Sequence, residues 1–401
     1  MGYNLIYLIG RRNMTERLFD TDSHLLDFEA RVLTCEKSGE DFLVLLDATA
    51  FAPEAGGQLS DVGTLGGRAV RDVRERGDEI YHVVDGALPV GKTVLGKIDR
   101  ARRLRHLQNH TGEHIVTGLF FREYGMNNVG FHLGHEDVTL DLDGCVDTPM
   151  LRRIEHLANL AVAENRAVRA FYPSAEEISS LSYRAKGEIE GRVRLVEIEG
   201  LDLCACCVPH VKHTGEVGGI KLLGAMRYKG GTRIHMKCGL DALEQANIWQ
   251  ERENALSQLL SLPPERIEEG VKKLMEDLGA AKYKLVQRKR EQIAETVERV
   301  DPENKRICLF MTDFDVNELR QLVAGIVEKT GGLCAAFSGD DEGGYRFVLA
   351  DLGGSFEDTA ARFRAALTAK GGGKPPYLQG TLMATEQDIR MFFEENDVGT
   401  F

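Results

Sequence analysis

The stretch "CACCVPHVKHTGEVGG", residues 204–219, constrains the fold and chemistry of this 401-residue chain more than any other. Its first ten positions hold three cysteines and two histidines. Thiolate sulfur and imidazole nitrogen are ligands that Zn²⁺ takes in proteins. A redox pair is the alternative, but C-A-C-C lacks the C-x-x-C spacing and the βαβ setting of redox motifs. The stretch therefore predicts half of a metal site, whose other half lies elsewhere in the chain.

A second group of ligands is "HTGEH", residues 110–114. On an α-helix, positions i and i+4 lie one turn apart on the same face, so two imidazoles there can bind one ion. Alone, the pair is also compatible with two ordinary helix histidines. Combined with a C-x-x-x-H segment, it completes a tetrahedral set that favours Zn²⁺ over Mg²⁺ or Ca²⁺. The predicted ligands are His110, His114, Cys206 and His210.

The composition, with 43% hydrophobic and 28% charged residues, is that of a globular protein. The chain is too long for a single core, so two or three domains are expected. No run approaches the ~18 apolar residues of a membrane helix. Residues 1–13, which precede Met14, are expected to be an upstream start or a tag remnant, not a secretory signal. Without targeting, the cytoplasm is predicted, where the eight cysteines stay reduced.

The net charge of −13 argues against a surface that coats nucleic acid broadly. Two local segments are nevertheless basic. Residues 100–105 hold four arginines, and residues 221–237 hold five cationic side chains and no acidic one. Such clusters are usually solvated faces. Because both flank the metal motifs, a nucleic-acid contact is an equally good interpretation.

The pattern along the chain predicts a multidomain α+β protein. Residues 14–98 show short strands with glycine turns at 38–41 and 77–78, which predict a small β-barrel or sandwich. From residue 102 the apolar period is helical as far as Gly125, and mixed strands and helices follow, so 99–240 is the predicted α+β zinc domain. From residue 301 to 401 a βαββα order predicts a small α/β domain whose last helix runs into "KGGGKPP".

The intervening range 241–300 is predicted to be a helical linker. It contains apolar residues at a 4-3-4-3-4 spacing, which is a heptad seam. The seam predicts a helical hairpin or a dimer arm, and hence a homodimer; a packed connector helix is the alternative. Its members are Ile267, Val271, Leu274, Leu278, Ala281 and Leu285.

At this point the motifs resemble those of a known family, the AlaX-type editing proteins, which are free-standing relatives of the editing domain of alanyl-tRNA synthetase. The family's H-x-x-x-H and C-x-x-x-H motifs match the predicted ligands, and "TGEVGGIKL" follows the second. Its glycine-rich signature matches "DATAFAPEAGGQLSDVG", residues 47–63, and "FHLGHEDVTLDL", residues 131–142, resembles a strand between the metal motifs. "GGGKPPYLQGTL", residues 371–382, resembles the synthetase C-terminal domain. The resemblance runs from about residue 14 to the end and identifies the long form.

One departure concerns the sulfur ligand. The family usually has two glycines and a threonine between Cys and His, where this chain has Cys207, Val208 and Pro209. Cys204 and Cys207 therefore stand within reach as alternatives. Cys206 is retained because the family spacing to the histidine selects it. His213 is a weaker alternative to His210.

The resemblance implies hydrolysis of the ester that joins serine, and also glycine, to the tRNA for alanine. An alanine pocket rejects serine weakly, whereas a second site can demand the hydroxyl. By resemblance, Thr49 and Gln58 contact the substrate, while Gly56 and Gly57 let the backbone approach it. The alternative is that Thr49 is only a turn residue and Gln58 only a strand-end amide. The expected phosphate contacts are Arg102, Arg103, Lys229 and Arg233.

The role of the metal stays open at this stage. Four protein ligands resemble a structural site, whereas a catalytic zinc keeps an open position. Zinc either activates water or the ester, or it orients the terminal adenosine. Glu113 is predicted to point ~100° away from His114 around the helix and is not the expected base. Two alternatives remain for the whole chain: another zinc-dependent hydrolase, and a non-catalytic zinc-stabilised RNA-binding protein.

Overall fold

The computed structural model describes residues 15–134, 138–185 and 192–395. The chain divides into two compact units, Met1–Ala255 and Leu256–Phe401. Within the described ranges, no helix has both the length and the apolar content needed to cross a membrane. Several separate sheets and the helices between them confirm the predicted multidomain α+β class.

The first unit begins with short strands and a single helical turn. Six of the strands pair in the closed order β2-β3-β7-β6-β5-β8, a barrel, while β1 and β4 form a separate parallel pair. The predicted turns at 38–41 and 77–78 join β2 to β3 and β6 to β7. The elements are β1 Glu16–Arg17, α1 Leu18–Thr21, β2 Asp27–Ser38, β3 Asp41–Leu46, β4 Ala48–Thr49, β5 Gly63–Leu65, β6 Arg68–Arg76, β7 Glu79–Val84 and β8 Thr93–Ile98.

Alternation of side chains accounts for the barrel core. Along β2, Phe28, Ala30 and Val32 are buried while the residues between them are exposed, which is the period of two expected of a half-buried strand. These residues pack with Phe51 and Leu65 in one apolar cluster. Glycines at the strand ends make the close turns that join these strands.

The helix after the barrel, α2 Arg100–Tyr124, is the element that carries the histidine motif. It begins at Asp99, whose side chain accepts a hydrogen bond from the Arg102 backbone N–H, and it ends at Gly125 in the left-handed conformation. From His106 to Phe120 every residue is buried, so the helix runs through the interior. Buried polar side chains require partners, and their number on α2 marks it as more than a packing element.

The rest of the first unit supplies two more sheets around α2. One has the order β14-β15-β10-β9 and the other the order β11-β12-β13. The elements are β9 Asn128–Leu133, β10 Val138–Leu142, α3 Thr148–Ala163, β11 Val168–Phe171, α4 Ala175–Ser180, β12 Leu195–Ile198, β13 Asp202–Ala205, a 3₁₀ turn Thr214–Val217, β14 Ile220–Tyr228, β15 Gly231–Cys238 and α5 Gly239–Leu260. The predicted strand 131–142 is β9 and β10, with 135–137 lying outside the described residues.

The second unit contains a five-stranded sheet of order β16-β17-β18-β20-β19. Its elements are a 3₁₀ turn Pro264–Arg266, α6 Ile267–Arg299, β16 Arg306–Phe310, α7 Val316–Thr330, β17 Leu333–Asp340, β18 Gly344–Asp351, α8 Phe356–Leu367, β19 Lys370–Gly372, β20 Tyr377–Leu382 and α9 Glu386–Glu395. The predicted βαββα order is present. The prediction that the last helix runs into the glycine run is wrong, because these glycines form strand β19. A Cβ at Gly371 would meet the Gln379 carbonyl oxygen of β20, so only glycine fits this pairing.

The predicted heptad seam lies on α6 and is exposed in this unit. Val271, Leu274, Leu278 and Leu285 are 42–57% exposed. Further along, Ile293 and Val297 pack against the core that α7 shares with the sheet. The seam thus occupies the part of α6 that precedes its packed end.

Candidate metal centre and its pocket

The helix α2 places His110 and His114 one turn apart, with ring centroids 5.6 Å from each other. Both side chains are almost fully buried. His210 approaches both rings, with centroids 5.2 Å from His110 and 4.6 Å from His114. Three imidazoles therefore converge in a space that excludes most water.

The loop that follows β13 supplies Cys206 and His210. Arg194 fixes this loop, because its guanidinium donates to the carbonyl oxygens of Cys206 and Val208, both at 2.9 Å, and its own carbonyl accepts from the Cys206 N–H. The Cys206 Sγ lies 3.3 Å from the His210 Nε2 and 3.5 Å from the His110 Nε2. One donor atom from each of the four predicted ligands lies within 4.8 Å of all the others.

These separations fit a zinc ion. With Zn–N bonds of about 2.0 Å and a Zn–S bond of about 2.3 Å, tetrahedral ligands stand about 3.5 Å apart. The observed S···N distances of 3.3 and 3.5 Å match that value. Three imidazoles and one thiolate are the borderline-soft donors that zinc selects. The residues present can therefore hold the metal that the motifs predict.

Electrostatics distinguish the three neighbouring sulfurs. Burial opposes a charge on Cys206, yet the imidazoles of His110 and His210 outweigh it and hold the pKa of this thiol well below its ordinary value. Burial raises the pKa of the Cys204 thiol, and it raises that of Cys207 to about 11. Only a thiolate binds metal readily, so the choice of Cys206 over its neighbours has a physical basis.

Each histidine has a second partner that orients its ring. The His110 Nδ1 lies 3.1 Å from the Gln58 Oε1. An amide oxygen only accepts, so Nδ1 carries the proton and Nε2 is free to bind a metal. The His210 Nδ1 lies 3.2 Å from the Thr111 Oγ1. Both rings thus present Nε2 to the centre.

The third ring, His114, is oriented by a carboxylate. Its Nδ1 lies 3.4 Å from the Asp202 Oδ2, a longer contact than the other two. Arg184 holds Asp202 through two bonds of 2.7 Å and also donates to the Thr117 hydroxyl. Carboxylate–histidine pairs of this kind are typical behind metal ligands. No sequence motif flagged Asp202 or Arg184; an acidic residue within an apolar strand is the one signal that points to Asp202.

The glycine-rich loop brings Gln58 to this position. Gly57 has φ +80°, and a Cβ there would lie 2.1 Å from the Phe131 carbonyl oxygen of β9. The Gly57 carbonyl in turn accepts from the Leu133 N–H at 2.8 Å. Gly56, at φ +57°, faces the His110 ring, and a Cβ added to it would lie 3.5 Å from the His110 Cε1. The sequence predicted that these glycines and Gln58 contact substrate; in the structure Gly56 lines the pocket, Gly57 packs on β9 and Gln58 contacts His110.

Thr49 has a different place from the predicted one. It is fully buried, and its hydroxyl lies 2.8 Å from the His82 Nε2. Burial lowers the pKa of His82 to about 4, so the ring is neutral at pH 7. Its Nδ1 must donate to the Val44 carbonyl at 3.1 Å, so Nε2 accepts the Thr49 proton, and the Phe51 N–H donates to Thr49. The Thr49 hydroxyl is thus hydrogen-bonded to buried groups, whereas the sequence predicted that it contacts substrate.

Glu113, which the sequence analysis did not expect to be the base, also lies at the pocket. Its carboxylate lines the pocket, with Oε2 at 3.8 Å from the His114 Nε2, and it accepts a hydrogen bond from the Asn128 side chain. Because α2 is buried on all sides from His106 to Phe120, a residue about 100° from the ligand face still meets the cavity, and whether Glu113 is a base stays a prediction.

The predicted phosphate contacts do not gather at the site. The prediction that Arg103 contacts phosphate is wrong. Its side chain is 2% exposed and forms a buried ion pair with Asp61, so no phosphate reaches it. Arg102 donates to the Ser60 carbonyl at 2.9 Å. Arg233 is neutralised by two 2.7 Å bonds to Asp141. The remaining one, Lys229, is exposed at the turn between β14 and β15.

A pocket of about 360 Å³ opens onto the metal centre. Its wall is unusually rich in arginine, and it includes Glu113, Asn128 and Tyr172 beside the ligands. Such a volume accommodates a small polar group with part of a nucleotide. The arginines are Arg17, Arg184, Arg192 and Arg194.

Comparison with known families agrees with this geometry. The family model described as the threonyl and alanyl tRNA synthetase second additional domain matches residues 193–235. That range begins just before β12 and extends into β15, and it includes Cys206 and His210. The class of domain is thus one shared by two synthetases.

Full-length relatives specify the family further. An alanyl-tRNA editing protein of Xenopus laevis, Aarsd1-A, is 30% identical over 347 residues, which are 84% of each chain. The alanyl-tRNA editing protein AlaX-M of Methanosarcina mazei is 37% identical over 261 residues, which are 58% of this chain and 99% of that protein. The chain belongs to this family of alanyl-tRNA editing proteins.

The similarity extends to synthetases themselves. The alanine--tRNA ligase of Ignicoccus hospitalis is 31% identical over 294 residues, or 70% of this chain. The match spans about a third of that enzyme's length, 32%.

Proposed function

We propose that this protein is a trans-editing hydrolase, which cleaves the ester that joins serine, and also glycine, to the tRNA for alanine. The observation that supports it is the cluster of four donor atoms within 4.8 Å of one another, three of whose residues line a pocket. Family membership supports the substrate class, because the relatives are named as alanyl-tRNA editing proteins.

In this proposal the four ligands hold one zinc ion. When bound, zinc supplies a Lewis acid that acidifies a water or polarises the ester carbonyl. The chain's own groups do the rest. Gln58 and Thr111 contact the Nδ1 atoms of His110 and His210, Asp202 faces the Nδ1 of His114, and the buried walls exclude bulk water.

The acidic chain meets tRNA through local positive charge. The pocket wall holds four arginines, and the exposed Lys229 adds a cation on the same unit. Phosphates of the acceptor end are the matching partner. The exposed seam of α6 supports a further part of the proposal, a homodimer. Replacing both Leu274 and Leu278 with glutamate then gives monomers by light scattering, whereas a wild-type monomer contradicts that part.

The test is release of labelled serine from Ser-tRNA, measured beside Ala-tRNA. We expect rapid release of serine alone by wild type and by C207A, and loss of release in a folded C206A/H210A variant. No release from either substrate by metal-loaded protein contradicts the proposal. If tRNA still binds in that case, a zinc-stabilised RNA-binding protein is the better account, as a closed set of four protein ligands would allow.

A further inference from the structure

Three of the four pocket arginines have a carboxylate partner. Arg184 is paired with Asp202, and both Arg17 and Arg194 approach Asp20, at 3.2 and 3.1 Å. Arg192 differs. No carboxylate among the residues that the structure describes lies within ion-pair distance of it, and its side chain is exposed. A pocket arginine with no carboxylate partner among the described residues is available for a ligand.

Arg192 is held in place by an aromatic ring. Its Cζ lies 4.1 Å from the centroid of the Tyr172 ring. That ring is half-buried, and its hydroxyl donates to the Asp20 Oδ2 at 2.8 Å. Because Asp20 is also bound by Arg17 and Arg194, the ring stands on a network of fixed charges. The ring therefore covers one face of the guanidinium, and among the described residues no carboxylate pairs with the rest of it.

We propose that Arg192 and Tyr172 form a stacking site for the terminal nucleobase of the tRNA acceptor end. This inference rests on the proposed function. A planar guanidinium and an aromatic ring are the two surfaces on which proteins most often stack unpaired bases. Both line the same pocket as His110, His114 and Cys206, so a nucleotide seated there has its sugar close to the metal centre. Base stacking would then fix where the ester lies.

A phosphate contact is the competing role for the same arginine, and charge alone would satisfy it. The geometry favours stacking, because the planar guanidinium already lies over a ring, whereas the ammonium of a lysine offers no plane on which a base can stack. The two roles differ in their response to lysine: a phosphate contact survives R192K, whereas a stacking contact does not.

The test uses an uncharged acceptor minihelix with 2-aminopurine as its 3′ base, whose fluorescence is quenched on stacking. We expect quenching with wild type, and binding weakened about tenfold with loss of quenching in R192Q, R192K and Y172A. Y172F keeps the aromatic ring, so we expect it to retain both minihelix binding and fluorescence quenching. R169Q, which changes an exposed arginine of β11 outside the pocket, is the matched control and is expected to behave as wild type.

Quenching by R192Q equal to wild type overturns the proposal, as does no quenching by wild type. If R192K retains minihelix binding and R192Q loses it, the proposal is also overturned, and Arg192 is assigned a phosphate contact. Because the minihelix carries no amino acid, these outcomes are independent of hydrolysis. Failure of serine release therefore counts against the proposed function, and failure of quenching counts against the stacking site.

Discussion

The Cys206 Sγ lies 3.5 Å from the His110 Nε2, although the two residues are 96 positions apart in the chain. One belongs to the loop after β13 and the other to α2, so their contact exists only in the folded unit. A metal bound to both would cross-link these segments, and its binding free energy would add to the stability of the fold. Removing the Cys206 sulfur is therefore expected to weaken both metal binding and the link between these two segments.

The two adjacent cysteines allow a matched test of metal binding. We expect wild type to hold one zinc per chain, C207A to keep it, and C206A to lose most of it, because the Cys206 sulfur lies 3.5 and 3.3 Å from the nitrogens of two histidines. Elemental analysis after desalting measures the content. Equal zinc in C206A and C207A would show that another sulfur is the ligand.

Gln58 is expected to act on the metal through His110. Replacing it with leucine removes the acceptor that orients Nδ1, so zinc affinity should fall about 10- to 100-fold while the fold persists. Competition with a chelator measures this affinity. If affinity is unchanged and only the discrimination between seryl and alanyl substrates is lost, Gln58 contacts substrate, as the sequence motif alone implied.

The close approach of Gly57 to β9 predicts an unequal pair of alanine variants. Gly67 has a similar φ, +78°, but open space around it, so G67A should cost only the backbone strain of about 1 kcal/mol. G57A must also displace the Phe131 carbonyl, and we expect about 2 kcal/mol more. Urea unfolding of both variants gives the comparison. Equal free energies of unfolding would mean that the loop does not rest on β9.

His82 predicts a pH dependence of stability. Burial lowers its folded pKa to about 4, below the ordinary 6.5, so the unfolded state binds more protons between these values. The stabilising contribution is complete above pH 6.5 and is lost as the pH falls toward 4, by about 3 kcal/mol. H82Q should lack this decline, and the control H156Q, at an exposed position on α3, should show it in full. A decline in H82Q as steep as in wild type would assign it to other groups.

The parts that the sequence predicted well are local in origin. An i, i+4 histidine pair needs only a helix, and the C-x-x-x-H spacing needs only a short loop, so the sequence alone selects the four residues whose donor atoms the structure brings within 4.8 Å. The turns between the first strands and the order of elements after residue 301 likewise depend on neighbouring residues.

The features that the sequence could not predict are burial and contacts between distant segments. Arg103 stands in a basic run, and nothing local indicates its buried ion pair with Asp61. Thr49 and Gln58 belong to a recognisable motif, but their partners His82 and His110 come from elsewhere in the chain. Nothing in the sequence indicated a role for Arg192, because the stacking of its guanidinium on Tyr172 follows no sequence pattern.

The central claim is that this cluster, loaded with one metal ion, is the site of deacylation. The most direct measurement is serine release from Ser-tRNA by metal-free protein during titration with Zn²⁺. We predict that the rate rises from near zero and saturates at one equivalent per chain, with C206A showing no rise over that range. Full activity in metal-free protein, or no activity at any zinc concentration, would contradict it.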